Sequence, residues 1–218
     1  MPELGSLSDR IRAAIAPAHD TVERTPFAVA MASGRIDRDA YAAGLRPLLA
    51  LHEGLEAALA AAHGTPEVAA VYDPRRMTRA PLLAADLAAL GDVPAPPAAD
   101  AAVDRLTAEF PEWAAVRPWA LVGALYVTEG SRMGSMLLAR SLAAAFGVRP
   151  EPGVGLDYHV AGIATRPADW QRFKAAVNAL PLTPARAADV LGAAAVTMNG
   201  LVAMYAALPA GIVEAVSA

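Results

Sequence analysis

The 218-residue chain has no cysteine, which excludes disulfide bonds, thiolate metal sites and cysteine nucleophiles. It has only four histidines, and the HExxH motif of zinc peptidases does not occur in it. The GxSxG motif of serine hydrolases and the GxxxxGK[ST] phosphate-binding loop are also absent. The common hydrolase and nucleotide-binding signatures therefore do not explain this sequence.

Basic runs and long apolar runs are scarce as well. The net charge is −4, and no cluster of lysine and arginine could follow a phosphate backbone, which argues against nucleic acid as a partner. The N-terminus lacks the charged and apolar regions of a signal peptide. Charges or prolines interrupt the apolar segments before the roughly 20 residues that a membrane span needs. We therefore expect a soluble, cytoplasmic protein with no membrane partner.

Alanine is abundant in the sequence. Hydrophobic residues make up 56% of the chain, and alanine, the best helix former, supplies much of this fraction. The sequence thus predicts an all-α protein with seven to nine helices in a single domain over residues 1–218. The residues expected to cap helices are Ser6 or Ser8, Asp37 or Asp39, Gly64, Gly91, Gly147, and Thr183 followed by Pro184.

His19 is the histidine that we single out. Glu23 follows four residues later, which puts its carboxylate one turn away on the same face of the predicted first helix. A carboxylate that accepts the proton of one ring nitrogen leaves the other nitrogen free to bind a metal. An ordinary surface ion pair is the simpler explanation of the same spacing. His52 and His63 are interpreted as solvated or capping residues, and Asp86 as part of a solvated helix face.

Two glycines interrupt an apolar segment that otherwise predicts a buried helix. The segment, residues 125–142, reads LYVTEGSRMGSMLLARSL and contains Gly130 and Gly134. Each interior glycine costs a helix about 1 kcal/mol relative to alanine. Close packing of two helices is one explanation for small residues four apart. The other is the close approach of a flat ligand to a backbone without side chains.

Taken in order, these segments resemble one family. LSDRIRAAIAPAHDTVERTPFAVAMASGRIDRDAYAAGLRPLLALHEGLEAAL resembles the N-terminal half of heme oxygenases, in which a helix carries the proximal histidine and an acidic residue one turn later. LYVTEGSRMGSMLLARSL resembles the distal helix of the bacterial branch of that family. DWQRFKAAVNALPLTPARAADVLGAAAVTMNG is similar to the last two helices. The likeness covers most of the chain and is weakest between about residues 66 and 118.

The resemblance implies a heme oxygenase-like fold with heme between a proximal helix and a kinked distal helix. His19 would be the axial ligand of the iron, and Glu23 would orient its imidazole. Gly130 and Gly134 would pass over the opposite face of the heme. Ser131 would help to hold an ordered water on that side.

The resemblance also implies further residues near the cofactor. Arg12 and Lys174 would bind the heme propionates. Three positions depart from the residues usual in the family: Arg132 between the glycines, Ser135 directly after the second glycine, and Met198 where a phenylalanine often packs near the heme. The side chain of Arg132 would point either to solvent or to a propionate.

The implied activity is the oxidative cleavage of heme to biliverdin, CO and ferrous iron. Heme and its iron would be both cofactor and substrate, O₂ the oxidant, and a reductase or ferredoxin the electron donor. A biliverdin-using photoreceptor would be a further partner. Three alternatives stay open: a heme-binding or sensory protein that does not degrade heme, a non-heme iron oxidase with Glu and His clusters on core helices, and a helical interaction module without a ligand.

Overall fold

The computed structural model describes residues 5–91 and 93–211, and the regular elements of this part of the chain are helices. In chain order they are α1 (Leu7–Glu23), α2 (Pro26–Ala32), α3 (Arg38–Ala61), α4 (Pro66–Ala69), α5 (Pro74–Met77), α6 (Ala80–Leu90), α7 (Pro97–Thr107), α8 (Glu109–Val116), α9 (Leu121–Phe146), α10 (Asp157–Val160), α11 (Arg166–Asn178) and α12 (Pro184–Ala207). A 3-10 turn, Pro118–Ala120, leads into α9. The predicted all-α class is confirmed, and α4, α5 and α10 are single turns.

Most of the predicted helix caps are present. Ser6 accepts a hydrogen bond from the amide of Asp9 at the start of α1. Asp37 and Thr183 cap α3 and α12 in the same way. Gly147, in the left-handed conformation with φ of 66°, ends α9. The sequence predicted these ends because a cap depends on one residue and the next few along the chain.

The predicted end of α3 at Gly64 is wrong. The helix ends at Ala61, and the amide of Ala62 still donates to the carbonyl of Ala58. Gly64 does not have a positive φ. Ordinary right-handed residues close this helix, so no glycine is required there.

The first half of α9 is the centre of the core. Residues 121–129 are all buried. Gly123 faces α12 so closely that a Cβ there would lie 2.2 Å from the carbonyl oxygen of Val190. This is a packing contact that only glycine permits, since real Cβ atoms do not approach backbone to that distance. The contact fixes α9 against α12 and therefore positions the second half of α9.

Helix α12 is, within the described residues, the one helix long and apolar enough to cross a membrane, with a mean hydropathy of 1.6. The expectation that charges or prolines interrupt every apolar segment is therefore wrong for this helix. Its buried residues pack against α1, α7 and α9. Such packing is typical of a core helix in a helical domain.

Candidate functional site

Six helices, α1, α2, α3, α9, α10 and α12, surround a cavity of about 350 Å³. Most of its lining is apolar, and the larger apolar side chains include Phe27, Met31, Leu45, Leu48, Leu138, Met198 and Leu201. A small number of polar groups interrupt this lining. A concave apolar site with a few polar groups is the usual form of a small-molecule or cofactor site.

His19 and Glu23 both line this cavity from α1. The Nδ1 atom of His19 lies 3.7 Å from Oε1 of Glu23, and the side chains are 50% and 67% exposed. The predicted one-turn pair therefore exists, and it stands at the edge of the cavity. One imidazole is enough to hold a heme iron from one side.

A second feature of this edge is a possible metal-binding group. His19, Asp20 and Glu23 offer ligand atoms within 4.8 Å of one another, and all three residues are exposed. In the part of the chain that the structure describes, no other group of three such residues lies this close together. The described residues therefore lack the buried Glu and His clusters that a non-heme di-iron oxidase needs.

Gly130 and Gly134 line the cavity from α9. Among the described residues, a Cβ at Gly134 would have no atom within 4 Å, and a Cβ at Gly130 would meet only the Trp170 ring, at an ordinary 3.4 Å. Neither glycine is needed for contact with another helix, in contrast to Gly123. Close helix packing is therefore the wrong explanation for this pair, and space beside the backbone is the better one.

Ser131 and Met198 also line the cavity. Ser131 is exposed, and its hydroxyl donates a hydrogen bond to the carbonyl of Thr128 at 2.8 Å. Met198 is buried on α12. Ser135, the departure next to Gly134, is buried and lines the same wall.

Arg12 and Lys174 are not among the residues that line the cavity. Arg12 is exposed on α1 with a guanidinium nitrogen 3.8 Å from the carboxylate of Asp9. The ammonium of Lys174 lies 5.7 Å from the centre of the Trp170 ring. Their predicted contacts with propionates stay predictions.

Arg132 points neither to solvent nor into the cavity, so the expected orientation toward solvent is wrong, and its contact with a propionate stays a prediction. Its guanidinium is buried, pairs with Oε2 of Glu129 at 3.1 Å, and donates to the carbonyl of Ala161. Arg79 binds the other carboxylate oxygen of Glu129 at 3.0 Å. Burial takes water away from a guanidinium at a cost in free energy, and a paired carboxylate offsets this cost. Arg132 thus fastens the residues after α10 to the side of α9.

Arg166 of α11 strengthens the same attachment. Its guanidinium is buried and donates to the carbonyl oxygens of Arg132, His159 and Ala161 at 2.8–2.9 Å. Burial lowers the pKa of Arg166 to about 10, which still leaves it charged at neutral pH. Two arginines therefore hold α10 against α9, where α10 forms part of the cavity wall.

Tyr158 of α10 and His52 of α3 form a polar wall that the sequence did not predict. Both are buried, and Nε2 of His52 lies 3.3 Å from the Tyr158 hydroxyl. Nδ1 of His52 lies 3.7 Å from Oε1 of Glu56. Burial raises the pKa of Tyr158, while the nearby hydroxyl of Ser131 opposes the rise, so the phenol keeps its proton.

The interpretation of His52 as solvated or capping is therefore wrong. His52 and Glu56 have the same four-residue spacing as His19 and Glu23. This repeated spacing is the sequence signal that could have found His52. It also means that spacing alone does not distinguish the two histidines. What separates them is their burial, which only the packing of α3 against the rest of the domain determines.

Asp86 of α6 holds the start of α10. Its carboxylate is fully buried and accepts hydrogen bonds from the backbone amides of Asp157, at 2.5 Å, and Tyr158, at 2.9 Å. Burial raises the pKa of Asp86 from 3.8 to about 6, although these two hydrogen bonds oppose the rise. The interpretation of Asp86 as a solvated residue is wrong, because it caps a segment distant in sequence.

Asp86 gives the folded protein an expected pH dependence. The folded state keeps the Asp86 proton up to about pH 6, and the unfolded state releases it near pH 3.8. The protonated Asp86 therefore contributes up to about 3 kcal/mol to the free energy of unfolding. This contribution is fully present below about pH 4 and is lost as the pH rises through about 6. Urea denaturation of the wild type and Asp86→Asn across this range measures the effect. The stability of the wild type relative to the variant should decline as the pH rises, and parallel pH profiles would contradict the assignment.

Comparison with known proteins identifies the family of this chain. The family model described as heme oxygenase matches residues 5–205. The chain belongs to the heme oxygenase family. A heme oxygenase from Xanthomonas campestris pv. campestris is 34% identical over 169 residues, which cover 76% of this chain and 88% of that protein.

Solved structures of heme oxygenases share the fold. The heme oxygenase of Leptospira interrogans superposes with a TM-score of 0.82 at 18% identity. The match covers 94% of this chain and 100% of that one. The heme oxygenase-1 of the cyanobacterium Synechocystis, solved in complex with heme, gives a TM-score of 0.80 at 21% identity, over 92% of this chain and 91% of that one. The predicted heme oxygenase-like fold is therefore confirmed.

Proposed function

We propose that this protein is a biliverdin-producing heme oxygenase. It would bind heme in the cavity between α1 and α9 and cleave the porphyrin oxidatively to biliverdin, CO and ferrous iron, with O₂ and external electrons. One observation carries the proposal: His19, on α1, and the pair Gly130 and Gly134, on α9, line the same cavity although they are far apart in sequence.

The residues of the cavity fit a heme. Its walls are mostly apolar, as the porphyrin ring requires, and a histidine stands at its edge. Beside Gly134 there is space that no side chain of the described residues fills. When bound, heme supplies the iron that activates O₂ and the ring that is oxidised.

On the α1 side, we assign His19 as the residue that would hold the heme iron and Glu23 as the residue that would orient its imidazole. The distance of 3.7 Å between Nδ1 and Oε1 leaves Nε2 as the nitrogen for the iron. Arg12 and Lys174 remain the candidate partners of the propionates. Met198 would pack against the ring from α12.

On the α9 side, Gly130 and Gly134 would let the ring approach the backbone, and Ser131 would hydrogen-bond an ordered water. Tyr158 and His52 add their polar wall to this side of the cavity. Because the Tyr158 phenol stays protonated, it can donate a hydrogen bond to a water or oxygen atom in the cavity. These groups would hold water in place where protons are needed, and the apolar lining would exclude bulk solvent.

The partners implied are heme, O₂ and an electron donor, either a reductase or a ferredoxin, since the chain has no cysteine to hold an iron–sulfur cluster of its own. A biliverdin-using photoreceptor stays a predicted partner. We expect a soluble, cytoplasmic protein.

Titration with hemin followed by aerobic turnover tests the function. We expect a Soret band at one hemin per chain and a rise in the melting temperature that grows with hemin concentration. Addition of an electron-donor system in air should then replace the Soret band by the absorption of biliverdin, identified by chromatography. A Soret band that persists through turnover would favour a heme-binding protein that does not degrade heme. No hemin-induced rise in melting temperature would favour a module without this ligand.

A further inference from the structure

A large apolar side chain, Leu137 of α9, stands at the opening of the cavity and has no role in the function proposed above. The exposed residues that line the cavity surround this opening, and they are His19, Glu23, Ala32, Ser131, Gly134 and Leu137. Leu137 is 73% exposed. The other exposed large apolar side chains among the described residues are Val29, Val116 and Val196, and none of these three lines the cavity.

Leu137 continues the line of the two glycines along α9. Positions 130, 134 and 137 are four and three residues apart, which is the spacing of one helical face. With a rise of about 1.5 Å per residue, this face extends for about 10 Å along the helix axis. Its first two positions have no side chain, and its third has a leucine. A flat ligand that lies over the two glycines would therefore meet Leu137 at the end of this face.

The side chain of Leu137 borders the space beside Gly134 without filling it. Helical side chains lean toward the N-terminus of their helix, so a leucine at position 137 covers the preceding turn, which contains Gly134. A Cβ at Gly134 would nevertheless meet no atom of the described residues within 4 Å. The space between the leucine and the glycine backbone is therefore available to a ligand.

The exposure of Leu137 decides where its apolar surface acts. Removal of apolar surface from water is favourable in proportion to the area removed. Because most of Leu137 is exposed in the heme-free protein, most of its burial would take place when a flat apolar ring covers it. The side chain would therefore contribute to the affinity for the ligand and contribute little to the stability of the heme-free fold.

We propose that Leu137 is a contact residue of the heme site. Its side chain lies against the porphyrin from the α9 side, becomes buried when heme binds, and slows the release of heme through the opening. This role rests on the proposed binding of heme in the cavity, and it is independent of the cleavage of the ring.

Hemin binding and hemin release by Leu137→Ala test this role. The affinity for hemin should fall by about 10-fold, because the variant loses most of the apolar surface that the ring would bury. Release of hemin to an excess of apomyoglobin should become faster by a similar factor, since changes in a binding surface act mainly on the dissociation rate. The melting temperature of the heme-free protein should change by less than about 2 °C, because the side chain is exposed. Leu137→Met keeps the size and apolar character, and it should bind and release hemin like the wild type.

Val116→Ala is the matched control for Leu137→Ala. Val116, the last residue of α8, is 67% exposed and does not line the cavity, so its loss should change neither the affinity for hemin nor its release. If the wild type binds hemin and Leu137→Ala binds and releases it equally well, Leu137 does not contact the heme, and this role alone is overturned. If the wild type binds no hemin, the proposed function and this role are both overturned. A fall of the melting temperature of heme-free Leu137→Ala by more than about 4 °C would show that Leu137 packs within the protein, and it would also contradict the role.

Discussion

Replacing His19 with alanine is expected to abolish heme cleavage and to leave the fold intact. The imidazole is half exposed and lies 3.7 Å from the carboxylate of Glu23, so its removal costs little packing. Loss of a residue that supports a metal ligand already costs about 10- to 100-fold in affinity or activity, and loss of the ligand itself should cost at least about 100-fold. The measurements are the position of the Soret band and the rate of biliverdin formation.

His63→Ala is the matched control for this substitution. His63 is exposed and does not line the cavity, so its loss should change neither the spectrum nor the rate. Added imidazole should restore a Soret spectrum like that of the wild type to His19→Ala, because the free ligand can enter the space that the side chain leaves. Unchanged spectrum and turnover in His19→Ala would show that another residue binds the iron.

Replacing Gly134 with leucine is expected to prevent heme binding while it stabilises the heme-free protein. A Cβ at this position meets no atom of the described residues within 4 Å, so the side chain has space in the absence of heme. Leucine in a helix interior is also favoured over glycine by up to about 1 kcal/mol. The same side chain would fill part of the space that we assign to the porphyrin, so hemin affinity should fall by at least about 100-fold. Hemin titration and thermal denaturation measure the two effects separately.

Gly192→Leu is the control for Gly134→Leu. Gly192 is an exposed residue inside α12 and does not line the cavity. A Cβ there also meets no atom within 4 Å in the part of the chain that the structure describes. This variant should gain similar stability and bind hemin like the wild type. Normal hemin affinity in Gly134→Leu would place the ligand elsewhere. A large loss of stability would mean that the space beside Gly134 is not open in solution.

The features that the sequence predicted well are those that depend on nearby residues. Ser6, Asp37 and Thr183 each accept a hydrogen bond from the amide three positions later, and so the caps of α1, α3 and α12 could be predicted. His19 and Glu23 lie on one helix for the same reason. The resemblance to a known family then related this pair to Gly130 and Gly134, which no local pattern could have done.

The features that could not be predicted from the sequence depend on contacts between distant segments. Asp86 was interpreted as solvated because its helix alone does not reveal that the amides of Asp157 and Tyr158 cover it. Arg132 was expected at solvent or at a propionate, but it meets Glu129 one turn earlier and the carbonyl of Ala161 across a loop. These contacts arise only when α10 packs against α6 and α9.

A crystal structure of the hemin complex tests the central assignment most directly. We expect the porphyrin between α1 and α9, with the imidazole of His19 bound to the iron on one face and the backbone at Gly130 and Gly134 against the other. An iron bound by His52 or His159, or a heme outside this cavity, would contradict the assignment.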